Sequence, residues 1–264
     1  MPNVDASSWN RPETTAPLPA NFTFAQVRDV SRLGSAFFRV TVQAEDVSQY
    51  GDSSIHFRLI LPNLSGVTAW PTVAANGSIK WAEGEDAPHR PVYTARWVEH
   101  ESNLMAFDVF IHEGGRTTDW ASEIMAGHDV RSIVGLVGPA GGGLMHADHV
   151  LLTADETGFP AAARILEKLP AAAIGTALLE AENGEACDYP VSSPRDIKIH
   201  WLSRARGEAL GPAVIQALSE HEGARLWFAG ERSQANAVRD AALQEGWDSE
   251  GLRVSGFWRA SSAD

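Results

Sequence analysis

Short apolar runs with the composition of β-strands dominate the first half of the chain. They are rich in Val, Ile, Phe and Tyr, and Gly, Pro, Asn and Asp separate them. The runs cover residues 24–30, 36–42, 55–61, 92–98, 104–112 and 130–137, with one helical stretch at 119–125. Period-two alternation, clearest at residues 38–42, indicates strands with one buried face. About six strands at this spacing predict an antiparallel barrel or sandwich.

The second half of the chain has a different rhythm, in which strands are followed by helices of about ten residues. Strands are predicted at residues 150–153, 175–179, 197–202, 225–229 and 252–258, and helices at 160–169, 212–221 and 233–245. Strands that alternate with helices predict a parallel, helix-flanked sheet. The predicted fold class is therefore an antiparallel β-barrel followed by a parallel-sheet α/β domain.

A glycine-rich stretch at residues 138–143 lies where the two patterns meet. These glycines precede a strand, whereas a Rossmann fingerprint follows a strand and opens a helix, so we interpret them as a flexible connection. Residues 1–22 hold four prolines and little apolar surface, which predicts a mobile tail. The predicted division is a tail at 1–22, a barrel domain at 23–146 and an α/β domain at 147–264.

Composition narrows the possible functions. The chain has 264 residues, with 21 Lys and Arg against 34 Asp and Glu, for a net charge of −13. Such a chain is a poor general binder of nucleic acid or anionic membrane, so an anionic ligand would need a local basic cluster. A single cysteine, Cys187, excludes an internal disulfide and a cysteine-ligated iron–sulfur cluster. With no signal peptide or membrane span in the pattern, we expect a cytoplasmic protein.

Metal-ligand motifs are incomplete. His-Glu pairs begin an HExxH pattern at residues 100, 112 and 221, but none has the second histidine. His146 and His149 form an isolated pair without a third ligand nearby in the sequence. The sequence therefore does not favour a metal site.

The segment at residues 90–96, RPVYTAR, combines three useful side chains on one predicted strand. Arg90 can grip a phosphate, Tyr93 offers a flat aromatic face, and the Thr94 hydroxyl can donate a hydrogen bond. An edge strand with solvated arginines is an equally ordinary explanation. Small polar residues open a helix about twenty residues later, where exposed amides suit a pyrophosphate and an ordinary capping residue is the simpler alternative.

Several segments together resemble the siderophore-interacting protein family, which comprises FAD-dependent ferric-siderophore reductases related to ferredoxin reductases. Besides residues 90–96, these segments are GRTTDWA at 115–121, LTADETGFPA at 152–161, WFAGE at 227–231 and GFWR at 256–259. Their order and spacing match the family over about residues 24–259. The sequence departs from the family pattern at Arg116, where proline is frequent, and at Phe257, where tyrosine is usual.

The resemblance implies an FAD site in the first half of the chain. Arg90 would contact the FAD pyrophosphate, Tyr93 would pack on the flavin or ribityl chain, and Thr94 would reach the reactive N5 region, which makes Tyr93 and Thr94 the implied catalytic residues. Residues 117–121 would hold the pyrophosphate through backbone amides and the Thr118 hydroxyl, beside His112. The implied FAD contacts in this stretch are Thr117, Thr118, Trp120 and Ala121.

The second half resembles a nicotinamide-binding domain for NADH or NADPH. The implied cofactor residues are Asp155, Glu156, Thr157, Gly230 and Glu231, with Trp258 near the isoalloxazine. Asp155 and Glu156 are otherwise explained as charges favoured at a helix start. Arg204 and Arg206 would meet a cofactor phosphate or be solvated loop residues, and the sequence leaves both open.

The implied activity is reduction of a ferric siderophore to release Fe(II), with electrons from NAD(P)H or a reduced carrier such as ferredoxin passing through the flavin. Because many ferric siderophores are anionic, a basic pocket is expected, with His56, Arg58, Lys80 and Arg259 as candidates. The alternatives are a general NAD(P)H-dependent flavin or ferredoxin-type reductase, a siderophore-binding protein without turnover, and a purely structural α/β domain.

Overall fold

The structure is a computed structural model that describes residues 9, 12–14, 16–62, 69–84, 87–127 and 132–260. The chain divides into two compact units, Met1–Arg32 with Phe37–Gly143, and Leu33–Ala36 with Leu144–Asp264. Most of the first eleven residues of the predicted tail lie outside the described residues, as does the start of the strand predicted at 130–137. Trp9, within that tail, is buried.

The first unit is an antiparallel β-barrel. Its elements are β1 (Phe22–Leu33), β2 (Phe37–Ala44), β3 (His56–Ile60), a small hairpin of β4 (Thr72–Val73) and β5 (Ile79–Lys80), β6 (Val92–Thr94), β7 (Trp97–Glu99), β8 (Leu104–Phe110), α1 (Arg116–Met125) and β9 (Ile133–Ala140). The seven-stranded sheet has the order β6-β3-β9-β1-β2-β8-β7. The hairpin was not expected from the sequence, because strands of two residues carry no periodic signal.

Closure of the barrel depends on the segment predicted as one strand at residues 92–98, and that prediction is wrong. The segment forms two strands with different partners, because β6 pairs with β3 and β7 pairs with β8. At the break, the Ala95 amide donates to the Ile55 carbonyl at 2.8 Å and the Arg96 amide donates to the Ala106 carbonyl at 2.8 Å. The two ends of the sheet are therefore consecutive in the chain, which closes the sheet on itself.

The barrel core is formed by the inward positions of the predicted period-two pattern. On β2, Phe38, Val40 and Val42 are buried, while Arg39 and Thr41 between them are partly exposed. Phe57 and Phe107 contact each other edge to face within this core, with ring centroids 5.5 Å apart. Burial of several large apolar side chains, each contributing about 1.5–3 kcal/mol, makes this core the main stabilising feature of the unit.

The first three residues of the glycine-rich stretch, predicted as part of a flexible connection, instead continue strand β9. Gly138 belongs to β9, and a Cβ there would lie 2.9 Å from the Phe57 Cβ. A Cβ on Gly143 would lie 2.4 Å from the Asp52 carbonyl oxygen. Glycine is needed at both positions because neighbouring atoms approach too closely for a side chain.

The second unit contains a parallel sheet with helices, which together with the barrel confirms the predicted fold class. Its elements are β10 (His149–Asp155), α2 (Phe159–Lys168), β11 (Ile174–Ala181), β12 (Asp196–Ser203), α3 (Leu210–Ala217), β13 (Arg225–Glu231), α4 (Arg232–Gln244) and β14 (Leu252–Trp258). The sheet order is β12-β11-β10-β13-β14 and all four pairings are parallel. The helix predicted at 212–221 is α-helical only to Ala217 and continues as a 3₁₀ turn, Leu218–His221.

The strand order reverses direction at β10, the central strand. From β10 the chain moves to β11 and β12 on one side, then crosses to β13 and β14 on the other. Ligands of open parallel sheets bind at the carboxyl ends of the strands beside such a reversal. Asp155 ends β10 at this point. Within the described ranges, no helix is both long and apolar enough to cross a lipid bilayer.

Candidate functional site

Arg90 has a buried nitrogen that the surrounding protein does not satisfy. Its guanidinium carbon lies 5.0 Å from the centre of the Trp81 ring, and Arg58 stacks on the same ring at 5.5 Å. Arg58 Nη1 also donates to the Arg90 carbonyl at 2.8 Å. The Arg90 Nη1 atom is buried and has no hydrogen-bond partner among the residues that the structure describes. A buried, unsatisfied cationic donor is costly, so this atom fits a group that a bound anion would contact.

Tyr93 links the strand motif to the start of helix α1. Its ring lies 5.2 Å from that of Phe107, and its hydroxyl hydrogen-bonds to the side chain of Thr117. Burial raises the pKa of Tyr93 to about 12, with the Thr117 hydrogen bond acting in the opposite direction. The phenol therefore stays neutral at physiological pH. Two segments separated by more than twenty residues in the sequence thus meet at one hydroxyl pair.

Thr94 is buried and has a histidine as its side-chain partner. Thr94 and His56 stand opposite each other on β6 and β3, and Thr94 Oγ1 lies 3.2 Å from His56 Nδ1. A neutral imidazole has one donor nitrogen and one acceptor nitrogen. When His56 Nδ1 is the donor, the Thr94 hydroxyl accepts from it and can donate its own proton to another group. His56, predicted as a substrate residue, is therefore a direct partner of Thr94.

The first turn of α1 presents backbone amides without a side-chain cap. Gly115 is the N-cap residue, and no side chain caps this helix end. The first amide that donates within the helix is that of Asp119, which bonds to the Gly115 carbonyl at 2.9 Å. The amides of Arg116, Thr117 and Thr118 come before it and have no carbonyl of the helix to donate to. The Thr118 hydroxyl donates to the Phe110 carbonyl at 3.4 Å, so it has a local partner.

Trp120 and Ala121 lie past the first turn of α1, and their implied contact with FAD stays a prediction. Both side chains are buried in the hydrophobic core of the barrel. Their amides lie far enough into the helix to donate to carbonyls four residues earlier, and are therefore occupied.

His112 lies next to the same helix start. A Cβ on Gly115 would lie 2.8 Å from the His112 ring atoms Cε1 and Nε2, so a side chain at this position would require the exposed His112 ring to move. His112 itself is exposed. Burial and the charge of Arg116 lower the pKa of His89, so the His89 ring lies close enough to this helix start to be affected by Arg116.

Trp81 and His89 are residues that sequence analysis missed. Trp81 follows the short hairpin and His89 forms an isolated bridge with Leu61, so neither lies in a periodic strand pattern. The only sequence signal for Trp81 was an aromatic residue shortly before an arginine-containing motif, and this is too common to be informative. The structure thus adds an indole that orients two arginines to the predicted motif.

In the second unit, Asp155 receives hydrogen bonds from two sides. The Thr157 amide donates to Asp155 Oδ1 at 2.9 Å, and the Thr157 hydroxyl donates to the same oxygen. The Trp258 indole donates from Nε1 to Asp155 Oδ2 at 2.6 Å. Burial raises the pKa of Asp155. The hydrogen bonds from Thr157 and Trp258 act in the opposite direction but do not outweigh burial. A Cβ on Gly230 would lie 3.1 Å from Asp155 Oδ2, so glycine leaves room for this buried carboxylate.

Replacing Trp258 with phenylalanine is expected to destabilise the protein through Asp155. The variant removes one charge-assisted donor from a buried carboxylate, which costs about 1.5–3 kcal/mol. The loss should shrink as the pH falls through the pKa of Asp155, because the indole stabilises the charged form. Urea unfolding at several pH values measures this. Trp247→Phe is the control, and an equal, pH-independent loss in both variants would contradict the assigned role.

Arg204 is held by three acidic side chains. It donates to Glu156 through both terminal nitrogens at 2.7 and 2.5 Å, to Glu180 at 2.9 Å, and to Glu182 at 3.3 Å. These hydrogen bonds raise the pKa of Arg204. Arg204 is therefore neither a solvated loop residue nor a free phosphate ligand. Glu156, expected to bind the cofactor, uses both carboxylate oxygens in this network, since it also accepts from the Glu182 amide.

Glu231 caps helix α4. Its Oε2 accepts from the amides of Ser233 and Gln234 at 2.5 and 3.1 Å and from the Ser233 hydroxyl. These hydrogen bonds lower the pKa of Glu231. The local role of this carboxylate is thus to satisfy a helix N-terminus. Its other oxygen, Oε1, accepts a hydrogen bond from the Ala260 amide at 3.4 Å.

The remaining predicted residues are exposed. Lys80 ends β5 directly before Trp81, and Arg259 follows β14 in the second unit. Trp258 has 44% of its surface exposed although its indole nitrogen is engaged. Arg206 pairs with Glu208 at 3.0 Å on the surface. Lys80 and Arg259 are therefore accessible to a ligand from solvent.

Comparison with known proteins gives matches across both units. The siderophore-interacting FAD-binding domain matches residues 6–143, and the siderophore-interacting protein family matches residues 147–261. The chain is 27% identical over 238 residues to the NADPH-dependent ferric-chelate reductase of Escherichia coli, covering 88% of this chain and 90% of that protein. It is 29% identical over 219 residues to the ferric vibriobactin reductase ViuB of Vibrio cholerae, covering 78% of each.

A solved structure agrees with these matches. The siderophore utilization protein from T. fusca superposes with a TM-score of 0.76 at 28% identity, covering 92% of this chain and 95% of that one. The matched domains correspond to the barrel unit and the α/β unit described above. The chain therefore belongs to the siderophore-interacting protein family, and its first unit is that family's FAD-binding domain.

Proposed function

We propose that the protein is an FAD-dependent oxidoreductase that reduces the Fe(III) of a ferric siderophore and so releases Fe(II). Relatives named as ferric-chelate and ferric vibriobactin reductases support the reaction class. The observation that carries the proposal within this chain is the buried Nη1 of Arg90, which has no partner among the described residues and shortly precedes Tyr93 and Thr94 in the sequence of the FAD-binding domain.

The residues of the barrel fit FAD by their chemistry. Arg90 and the first-turn amides of α1 suit the pyrophosphate, because both present donors to an anion. The neutral phenol of Tyr93 suits packing beside an aromatic ring system. When bound, FAD takes up two electrons from a hydride donor and can pass them on one at a time, which a one-electron acceptor such as Fe(III) requires.

Thr94 and His56 would control a proton at the flavin. Thr94 Oγ1 accepts from His56 Nδ1 in one tautomer and is then free to donate its own proton to a ring nitrogen. In the other tautomer the hydroxyl donates to His56 and offers a lone pair instead. The Thr94–His56 pair can therefore keep a hydrogen bond to the ring nitrogen whether that nitrogen is protonated or not, and the backbone of the two strands need not move.

The electron donor in this proposal is NADH or NADPH, bound at the carboxyl ends of the strands in the second unit. Asp155 and Gly230 stand there, at the reversal of strand order where such ligands bind. Arg204 is occupied by carboxylates, so a donor phosphate would need Arg206, whose partner is an exposed carboxylate. A reduced protein carrier is the alternative donor.

The substrate in this proposal is an anionic ferric siderophore in the cytoplasm. His56, Arg58 and Lys80 of the first unit are proposed to attract it, and Arg259 is the candidate in the second unit. Arg58 has a second role, because it hydrogen-bonds to the Arg90 carbonyl. No side chain needs to ligate the iron, since reduction weakens its binding to the hard oxygen ligands of the siderophore.

The experiment that tests this function follows the visible spectrum of the purified, FAD-loaded protein under anaerobic conditions. We expect flavin bands to remain through desalting, NADH or NADPH to bleach them, and a ferric siderophore to restore them while an Fe(II) chelator traps iron. Faster turnover with artificial acceptors than with any siderophore would favour a general reductase. Siderophore binding without bleaching would favour a binding protein, and a colourless protein would overturn the proposal.

A further inference from the structure

Two histidines far apart in the sequence come together at the amino end of the parallel sheet. His149 is the first residue of β10, and His221 ends the 3₁₀ turn that follows α3. His221 Nδ1 lies 3.4 Å from His149 Nε2, and the ring centroids are 5.6 Å apart. This end of the sheet is opposite to the carboxyl edge that holds Asp155, so the pair is separate from the proposed donor site.

The distance between the two nitrogens suits a shared metal ion. Imidazole nitrogens bind Zn²⁺ at about 2.0–2.1 Å, and two tetrahedral ligands at that distance lie about 3.3 Å from each other. The observed 3.4 Å separation is close to this value, and because the nitrogens face each other almost head-on, each ring would tilt to direct its lone pair at a shared ion. The same separation is long for a hydrogen bond between nitrogens, so the metal-free contact is weak.

Hydrogen bonds anchor the backbone at or next to both histidines. The carbonyl of Asp148, directly before His149, accepts from the Ile174 amide at 2.8 Å as part of the sheet. The His221 carbonyl accepts from the Ala224 amide at 3.0 Å, which closes a turn through Gly223 at a positive φ of 78°. A site built on such anchored positions needs little ordering when a ligand binds.

A neutral imidazole ring carries one nitrogen lone pair that a metal ion can bind. In the metal-free pair, one facing nitrogen carries the proton. Metal binding then requires that this ring carry its proton on its other nitrogen instead. This change of tautomer releases no proton from the protein. Both side chains are half-buried, which leaves room for water as additional ligands.

We propose that His149 and His221 form a binding site for one divalent transition-metal ion of the type that imidazole prefers, with water completing the coordination. The described part of the chain offers no cluster of three ligating side chains, so the site has two protein ligands. Two ligands give an exchangeable site rather than a permanently occupied one. Affinity should follow the order Fe²⁺ < Co²⁺ < Ni²⁺ < Cu²⁺, with Zn²⁺ below Cu²⁺.

The test uses full-length, FAD-loaded protein without a polyhistidine tag. Calorimetric titration with Zn²⁺ should give one saturable site, and the electron paramagnetic resonance spectrum with Cu²⁺ should show nitrogen ligands. His149→Gln and His221→Asn should each weaken Zn²⁺ binding by at least about tenfold and remove the nitrogen signature. The double variant should lose little more than either single one, because a chelate needs both rings.

His146→Ala and His200→Ala are the matched controls, since both histidines are exposed and belong to the same unit. They should leave Zn²⁺ affinity within about twofold. Circular dichroism and flavin absorbance verify that each variant is folded and loaded. Unchanged affinity in both His149→Gln and His221→Asn, or binding of many ions without saturation, would overturn the proposal. Because the readout is metal binding, it does not depend on ferric-siderophore reduction.

Discussion

Arg90→Ala is expected to lose FAD on desalting and to be inactive unless FAD is supplied in large excess. Removing one partner of a desolvated charged hydrogen bond costs about 2–5 kcal/mol, which corresponds to a loss of roughly 30-fold to several thousand-fold in FAD affinity. The effect is large because the Arg90 Nη1 atom is already buried and has no other partner among the described residues. Fluorescence titration of the apoprotein with FAD measures it.

The stability of the apoprotein distinguishes a ligand-binding role from a structural one. Because Nη1 is unsatisfied, we expect Arg90→Ala to change the unfolding free energy by no more than about 1 kcal/mol, the amount that stacking on Trp81 contributes. Arg90→Lys should be intermediate in FAD affinity, since it keeps the charge and loses the planar fork.

The control for Arg90→Ala is Arg32→Ala. Arg32 also stacks on an aromatic ring in the first unit, 4.9 Å from the centre of Phe38, but it lies outside the motif at residues 90–96. It should retain FAD. If Arg90→Ala retained FAD through desalting as well as Arg32→Ala does, the FAD contact assigned to Arg90 would be wrong.

Arg204→Ala is expected to destabilise the second unit by about 3 kcal/mol. The substitution leaves Glu156 and Glu180, which are almost fully buried, without their cation. Removing one member of a buried ion pair costs about 3–5 kcal/mol, and the lower end applies because the Arg204 side chain is 36% exposed. Urea unfolding followed by circular dichroism measures the shift in the transition of this unit.

The neighbouring arginine supplies the comparison. Arg206 forms an exposed pair with Glu208, so Arg206→Ala should cost less than about 1 kcal/mol. Combining Arg204→Ala with Glu156→Gln should recover part of the lost stability, because the uncompensated charge is removed. Equal effects of Arg204→Ala and Arg206→Ala would show that the three carboxylates do not depend on Arg204.

Local periodicity was sufficient for most of the fold. The period-two pattern predicted the barrel strands, and the alternation of strands with helices predicted the parallel sheet, because both signals repeat within ten residues. The segment at residues 92–98 was the exception. Its composition is that of one strand, but its two halves pair with different strands. A local sequence pattern does not indicate which strand a segment pairs with.

The candidate site was predicted in part. The sequence identified Arg90, Tyr93 and Thr94 and the helix start near Thr117, since these residue types and their order resemble a known family. It could not predict that Tyr93 meets Thr117, or that Trp81 stacks beneath two arginines. Such contacts join segments through space, and each depends on where the intervening strands lead.

The sequence by itself determined the two-part architecture, the family and the residue types available for binding an anionic cofactor. Only the tertiary structure decided how each charge is used. It gave Arg204 three carboxylate partners, placed Glu231 on a helix end, and brought His221 to His149 rather than leaving His149 with His146. The physical reason is that burial and the nearest opposite charge set the behaviour of an ionisable group, and both are properties of non-local packing.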